Sequence, residues 1–151
     1  MELRASLSAE IAASAARVYG ILADYRGGHA QILPRDFFHN LTVISGGTGA
    51  GTELSVQAVM FGRVRLLRMK VTEPEPGRVL AETDIDTGMA TSFTVDSSGA
   101  DSCTVTIATA WQSQRGFTGL MERWLVPPTL RKVFRQELAL LARFLAESTG
   151  A

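Results

Sequence analysis

From Phe37 to Trp111 no segment of the sequence carries a helical period, and one long amphipathic helix then closes the chain. Phe37 to Ile44 reads as a strand, ended by the glycines Gly46, Gly47, Gly49 and Gly51. Thr52 to Met60 alternates, with Leu54, Val56, Ala58 and Met60 on one face. A period of two buries one face of a strand and leaves the other wet. Gly62 suits a hairpin, and Arg63 to Thr72 follows with an imperfect alternation that predicts a bulge near Leu66-Leu67. Glu73 to Gly77 is a turn by composition. Arg78 to Asp84, Met89 to Val95 and Ser102 to Trp111 complete six runs, separated by Gly88 and by Ser97-Ser98-Gly99. Connections this short favour an antiparallel meander over parallel crossovers.

Upstream, Leu3, Ala5, Leu7, Ala9 and Ile11 alternate with polar neighbours, which adds a seventh strand. Ser14 reads as the N-cap of a helix over Ala15 to Ala23, stopped by Gly27-Gly28, with a second helical turn at His29 to Leu33. Downstream, Phe117 to Glu147 is helical in pattern, and Leu130, Phe134, Leu138, Leu141 and Leu145 form one apolar stripe. Pro127-Pro128 predicts a kink or a restart, because proline lacks an N–H and clashes with the preceding turn. The stretch after them is about 28 Å long at 1.5 Å per residue. The expected class is α+β in the order β-α-α-β6-α: a curved seven-stranded antiparallel sheet around a long C-terminal helix. The helix is the only large element able to cover the sheet's apolar face, and the space between the two is a natural ligand pocket.

Composition narrows the function classes. The 151 residues suit one domain spanning 1–151. Fifteen Lys and Arg balance fifteen Asp and Glu, so nothing suggests a nucleic-acid partner, which calls for a basic surface. One cysteine excludes an internal disulfide and a cysteine-rich metal site. No apolar run reaches the ~20 residues of a membrane span, and no signal-peptide pattern opens the chain, so the expected location is cytoplasmic.

Several segments together resemble the SRPBCC superfamily, the START-like, helix-grip proteins that include polyketide cyclases and birch-pollen-allergen-like carriers. EIAASAARVYGILA at Glu10 to Ala23 is similar to the strand-then-helix opening, and Asp24 follows where the family often has Asp. VISGGTGAGT at Val43 to Thr52 resembles its glycine-rich connection, and TEPEPGRVL at Thr72 to Leu80 its strand–proline turn–strand passage. Leu120 to Leu145 resembles the closing helix. The resemblance implies the helix-grip fold over nearly the whole chain. It does not single out a function, since this scaffold carries binders, transporters and cyclases alike.

The polar candidates are few. His39 shares strand parity with Phe37, Leu41 and Val43, so its imidazole either contacts a ligand as acceptor or base, or is a strand-end histidine satisfied by backbone or water. Tyr25 follows the first helix, where its hydroxyl is expected at the cavity mouth. His29 sits between helix and strand, near the rim or on the surface, and Glu122 is expected on the wet flank of the closing helix. Arg65 faces inward without a bulge and outward with one. Cys103 reads as a small buried hydrophobe, with no context for an activated thiolate. The glycine cluster at Gly46 lacks the Gly-Lys-Ser/Thr of a phosphate loop and precedes a strand, so it reads as a hairpin connection. Neither histidine has metal-ligand spacing, and the residues imply no metal and no cofactor.

The apolar set carries more. Val56, Ala58, Met60, Leu67, Met69, Phe93, Val95, Ile107, Trp111, Leu120, Met121 and Trp124 are expected to line the cavity, with Tyr25 and His39 as polar contacts. Adaptable methionines and flat aromatics suit an apolar guest as well as a packed core. Phe117, Leu120, Met121 and Trp124 form either a lid or a contact with a second subunit, which leaves a homodimer open. The expected function is binding or transport of a small hydrophobic ligand. A polyketide cyclase or dehydratase using His39 or Tyr25 to move a proton is one alternative, and a chaperone-like or regulatory protein-interaction module is another.

Overall fold

The structure, a computed structural model, describes residues 2–113 and 116–149, with the side chains of Phe117 and Thr149 left aside. The elements follow in the order β1 (Glu2–Ile11), α1 (Ala15–Ala23), α2 (Gly28–Ile32), β2 (Phe38–Ser45), β3 (Glu53–Met60), β4 (Arg63–Glu75), β5 (Val79–Asp84), β6 (Ala90–Gly99), β7 (Ser102–Gln112) and α3 (Phe117–Thr149). The sheet has seven strands in the order β1-β7-β6-β5-β4-β3-β2, and every pairing is antiparallel. This is the helix-grip fold.

Strand order explains the shape. β2 to β7 form a meander of hairpins, whereas β1 pairs with β7, so the first two strands occupy opposite edges of the sheet. Helices α1 and α2 bridge them. Ser14 caps α1 as its sequence predicts, its hydroxyl accepting the Arg17 N–H at 3.2 Å. Val18 and Leu22 are buried, and α1 packs against β6 and β7. It fills one end of the sheet's inner face. α3 crosses the same face and packs on β1, its Phe134, Leu138, Leu141 and Leu145 buried in the core.

Three local expectations are corrected. No bulge occurs at Leu66-Leu67: the β3–β4 register runs unbroken from Glu53↔Lys70 to Met60↔Arg63. Leu66 simply faces outward and is exposed, and the register shift of β4 lies between Thr72 and Glu75. β4 therefore runs through Pro74, and the turn is left to Gly77, whose φ of 84° glycine tolerates. Likewise α3 does not restart at Pro127-Pro128 but runs as one helix through both. Two adjacent prolines remove the backbone donors for the Arg123 and Trp124 carbonyls. The Thr129 hydroxyl donates to the Leu125 carbonyl at 2.9 Å, which supports the next turn. No helix among the described residues is long and apolar enough to cross a membrane.

Candidate functional site

A cavity of about 290 Å3 lies between the sheet and α3. Its floor is the inward face of two neighbouring strands: Leu54, Val56, Ala58 and Met60 from β3, and Arg63, Arg65, Leu67 and Met69 from β4. Phe93 and Thr91 from β6 and Thr109 and Trp111 from β7 continue that floor. α3 forms the roof with Val126, Leu130, Val133, Phe134 and Glu137, and Leu33, Phe38, Leu41 and Met89 close the sides. Arg63 and Arg65 are exposed and mark the open end. Arg65 is committed there: its guanidinium lies 3.2 Å from Asp84. The buried Asp84 also accepts the Thr87 hydroxyl at 2.7 Å and the Asp86 N–H at 3.2 Å.

The polar end is assembled from four elements. Asp24 ends α1 and starts α2, its carboxylate accepting the N–H groups of Gly27 and Gly28 at 3.1 and 3.3 Å. The loop between β2 and β3 clamps this junction: Gly49 donates its N–H to the Ala23 carbonyl, and Tyr25 donates its own to the Gly47 carbonyl, both at 2.9 Å. α2 then turns His29 inward, where it is 1% exposed. Its Nδ1 lies 2.6 Å from the Leu22 carbonyl oxygen. A carbonyl only accepts, so Nδ1 carries the hydrogen and Nε2 is left facing the carboxyl groups. Nε2 is 3.4 Å from Glu82 Oε2 on β5 and 3.8 Å from Glu137 Oε1 on α3. Tyr25 donates its hydroxyl to Glu82 at 2.7 Å and stacks on the His29 ring at 4.4 Å. Phe93 meets the other side of that ring edge-on at 5.3 Å.

Glu137 is the exceptional member. It is 4% exposed, it borders the cavity, and its Oε1 has no hydrogen-bond partner among the described residues. Burial, and then the nearby Glu82 carboxylate, hold its acid well above the usual carboxylate range. The Tyr25 phenol is pushed upward by burial first and by Glu82 second, so it acts as a fixed donor. A neutral carboxylic acid beside an imidazole, at the end of an apolar cavity, can donate a hydrogen bond or move a proton. No group of three or more His, Cys, Asp or Glu side chains is arranged to hold a metal among the described residues.

Of the residues expected to line the cavity, Val56, Ala58, Met60, Leu67, Met69, Phe93 and Trp111 do so, and Arg65 joins them. The others are placed elsewhere. His39 is exposed and points away, because Asn40 adopts φ 56° and the β2–β3 register shifts between His39 and Thr42. That bulge turns Phe38 and Leu41 inward together, although they sit three apart. Tyr25 is wholly buried behind His29 and does not reach the mouth. Val95 and Ile107 belong to the packed core and do not border the cavity. Leu120, Met121 and Trp124 are 51%, 42% and 72% exposed. Trp124 sits about 200° round the helix from the inward Val126, so this cluster faces away from the cavity. Glu122 is half-buried outside it, Cys103 is buried on β7, and the Phe117 side chain lies outside the described residues. Sequence reading missed His29, Glu82 and Glu137 as a group. Two signals were there: Glu82 shares strand parity with buried Leu80, and Glu137 interrupts the apolar stripe of α3.

A family model described as polyketide cyclase / dehydrase and lipid transport matches residues 2–146. No curated protein matches the chain. Among solved structures, the KanY protein is 25% identical with a TM-score of 0.83, over 97% of this chain and 99% of that one. A norcoclaurine synthase point mutant from Thalictrum flavum, in complex with a transition-state analogue, is 20% identical with a TM-score of 0.75, over 99% and 97% of the two chains. The Zhui aromatase/cyclase from Streptomyces sp. R1128 is 16% identical with a TM-score of 0.69, over 95% and 90%. The last two are similar to this chain in fold.

Proposed function

Since the chain belongs to the polyketide cyclase/dehydrase and lipid-transport family, we propose that it binds a small hydrophobic molecule between the sheet and α3. The observation that carries this reading is the 290 Å3 cavity, walled by apolar side chains and ended by the His29–Glu82–Glu137 group. Burial of an apolar guest contributes about 25 cal/mol per Å2, and the polar end fixes its orientation. Trp111 borders the cavity while Trp124 sits outside it. Titration with a panel of compact apolar compounds is expected to shift the emission of Trp111. The response disappears in Trp111→Phe and survives in Trp124→Phe. A response carried only by Trp124 places binding on the outer face of α3 and overturns the reading.

Glu137 and His29 favour a second reading, catalysis of a cyclisation or dehydration. Glu137 then delivers a proton to a ligand oxygen, and His29 Nε2 accepts one. His39 has no part in it, since its side chain is outside the cavity. In this case Glu137→Gln retains a bound ligand and loses turnover. Full turnover in that variant removes the assigned roles.

A further inference from the structure

We infer that the inner end of the cavity recognises a primary amine carried on a compact apolar body. The inference rests on the cavity being a ligand site, as proposed above. The charged and titratable groups bordering the cavity are Arg63 and Arg65 at the open end and His29, Glu82 and Glu137 at the inner end. The Arg65 guanidinium is paired with Asp84 at 3.2 Å. The inner end holds two carboxyl groups and an imidazole, and among the described residues no lysine or arginine pairs with either carboxyl group.

The Nδ1 hydrogen of His29 goes to the Leu22 carbonyl, and the Tyr25 hydroxyl hydrogen goes to Glu82. Thr91 and Thr109, the other polar groups of the wall, bond to each other at 2.7 Å. What stays unanswered is Glu137 Oε1, buried and without a hydrogen-bond partner among the described residues, 3.8 Å from His29 Nε2. A buried polar atom without a partner is costly, and beside a second carboxyl group the ligand group that answers it best supplies donors and positive charge. An ammonium supplies three N–H donors and a positive charge between two carboxyl groups. An alcohol supplies one donor and no charge. A carboxylate ligand adds a further negative charge and is disfavoured.

The proton balance follows. In the empty cavity burial, and then the Glu82 carboxylate, favour the protonated form of Glu137. When an ammonium binds, Glu137 gives its proton to solvent, and an ammonium–carboxylate pair replaces the neutral acid. No covalent bond forms or breaks. Binding therefore releases one proton at a pH where the free protein holds Glu137 protonated. Glu82, His29 and Tyr25 are the other titratable groups facing it, and Tyr25 keeps its proton throughout.

The test uses the full chain and three probes with one bicyclic body: 2-naphthylmethylamine, 2-naphthylmethanol and 2-naphthoic acid. Isothermal titration in two buffers of different ionisation enthalpy reads affinity and proton release together. The amine is expected to bind at least tenfold tighter than the alcohol, the acid weakest of the three, with net proton release accompanying amine binding. Glu137→Gln keeps the side-chain shape, and Glu82→Gln removes the second carboxylate. Each variant, shown folded by circular dichroism, is expected to compress the amine-over-alcohol preference to less than threefold. Equal binding of alcohol and amine by the parent protein, or a preference that survives both variants, overturns the amine inference and leaves the cavity reading standing. If none of the three probes binds, both fall.

Discussion

Glu137 links the acid–base chemistry of the site to the stability of the fold. Its folded pKa is raised above the unfolded value of about 4.3, so the folded state holds the proton more tightly. Stability from this group is fully present below the unfolded pKa and is lost as pH rises toward the folded value. Glu137→Gln removes the titration. The variant is expected to be more stable than the parent at high pH, with little difference near pH 4. Urea unfolding at both pH values checks this, and a constant difference between the two proteins contradicts it. Asn40 is a second position where one side chain governs several others. Its φ of 56° suits Asn and penalises β-branched residues. Asn40→Val is expected to lower the unfolding free energy by ~1–2 kcal/mol, partly by losing the amide bond to Gln57 at 3.0 Å. An unchanged urea midpoint would show that the bulge carries no such strain. The inward placement of His39 fails at this residue, since one left-handed backbone step reverses the face of the residues before it, and His39 stands as an exposed strand-end histidine.

Among the elements, the strands and helices were largely legible, because each repeats a period that burial imposes. β3 shows this best: Leu54, Val56, Ala58 and Met60 all reach the cavity wall. The misread points share a cause. Pro74 is part of β4, and Pro127 and Pro128 are inside α3, because neighbouring structure overrides a local preference. An interior proline costs about 3 kcal/mol relative to alanine, so α3 carries a local penalty. Replacing both with alanine is expected to raise the unfolding free energy by ~2–5 kcal/mol while leaving helix content unchanged. Chemical denaturation followed by far-ultraviolet circular dichroism measures both quantities. A gain of helix signal would mean instead that the prolines interrupt α3 in solution. The apolar side of its first turns, with Trp124 and Leu125, remains outside the cavity.

Across the molecule, the cavity exists because α1 fills only one end of the sheet and α3 spans the rest. Ligand binding then couples to global stability: a guest at a hundred times its Kd raises the unfolding free energy by about 2.7 kcal/mol. Ala58→Phe projects a ring from the β3 floor into that space. It is expected to abolish ligand-induced stabilisation in thermal melts, while the ligand-free variant stays folded. Retained stabilisation would show that the guest sits elsewhere.

What the sequence determined by itself was the number, order and type of the elements and the inward face of β3, because periodicity records burial along a single strand or helix. It also constrained the chemistry, since it holds one cysteine and two histidines without metal-ligand spacing. Only the tertiary structure decided which polar groups meet. His29, Glu82 and Glu137 stand on α2, β5 and α3, far apart in the chain, and no local pattern encodes their 3.4 and 3.8 Å approach. The clamp of the glycine loop on the α1–α2 junction is of the same kind. Such contacts arise where layers pack, and a one-residue bulge at Asn40 is enough to put Phe38, and not His39, on the cavity wall.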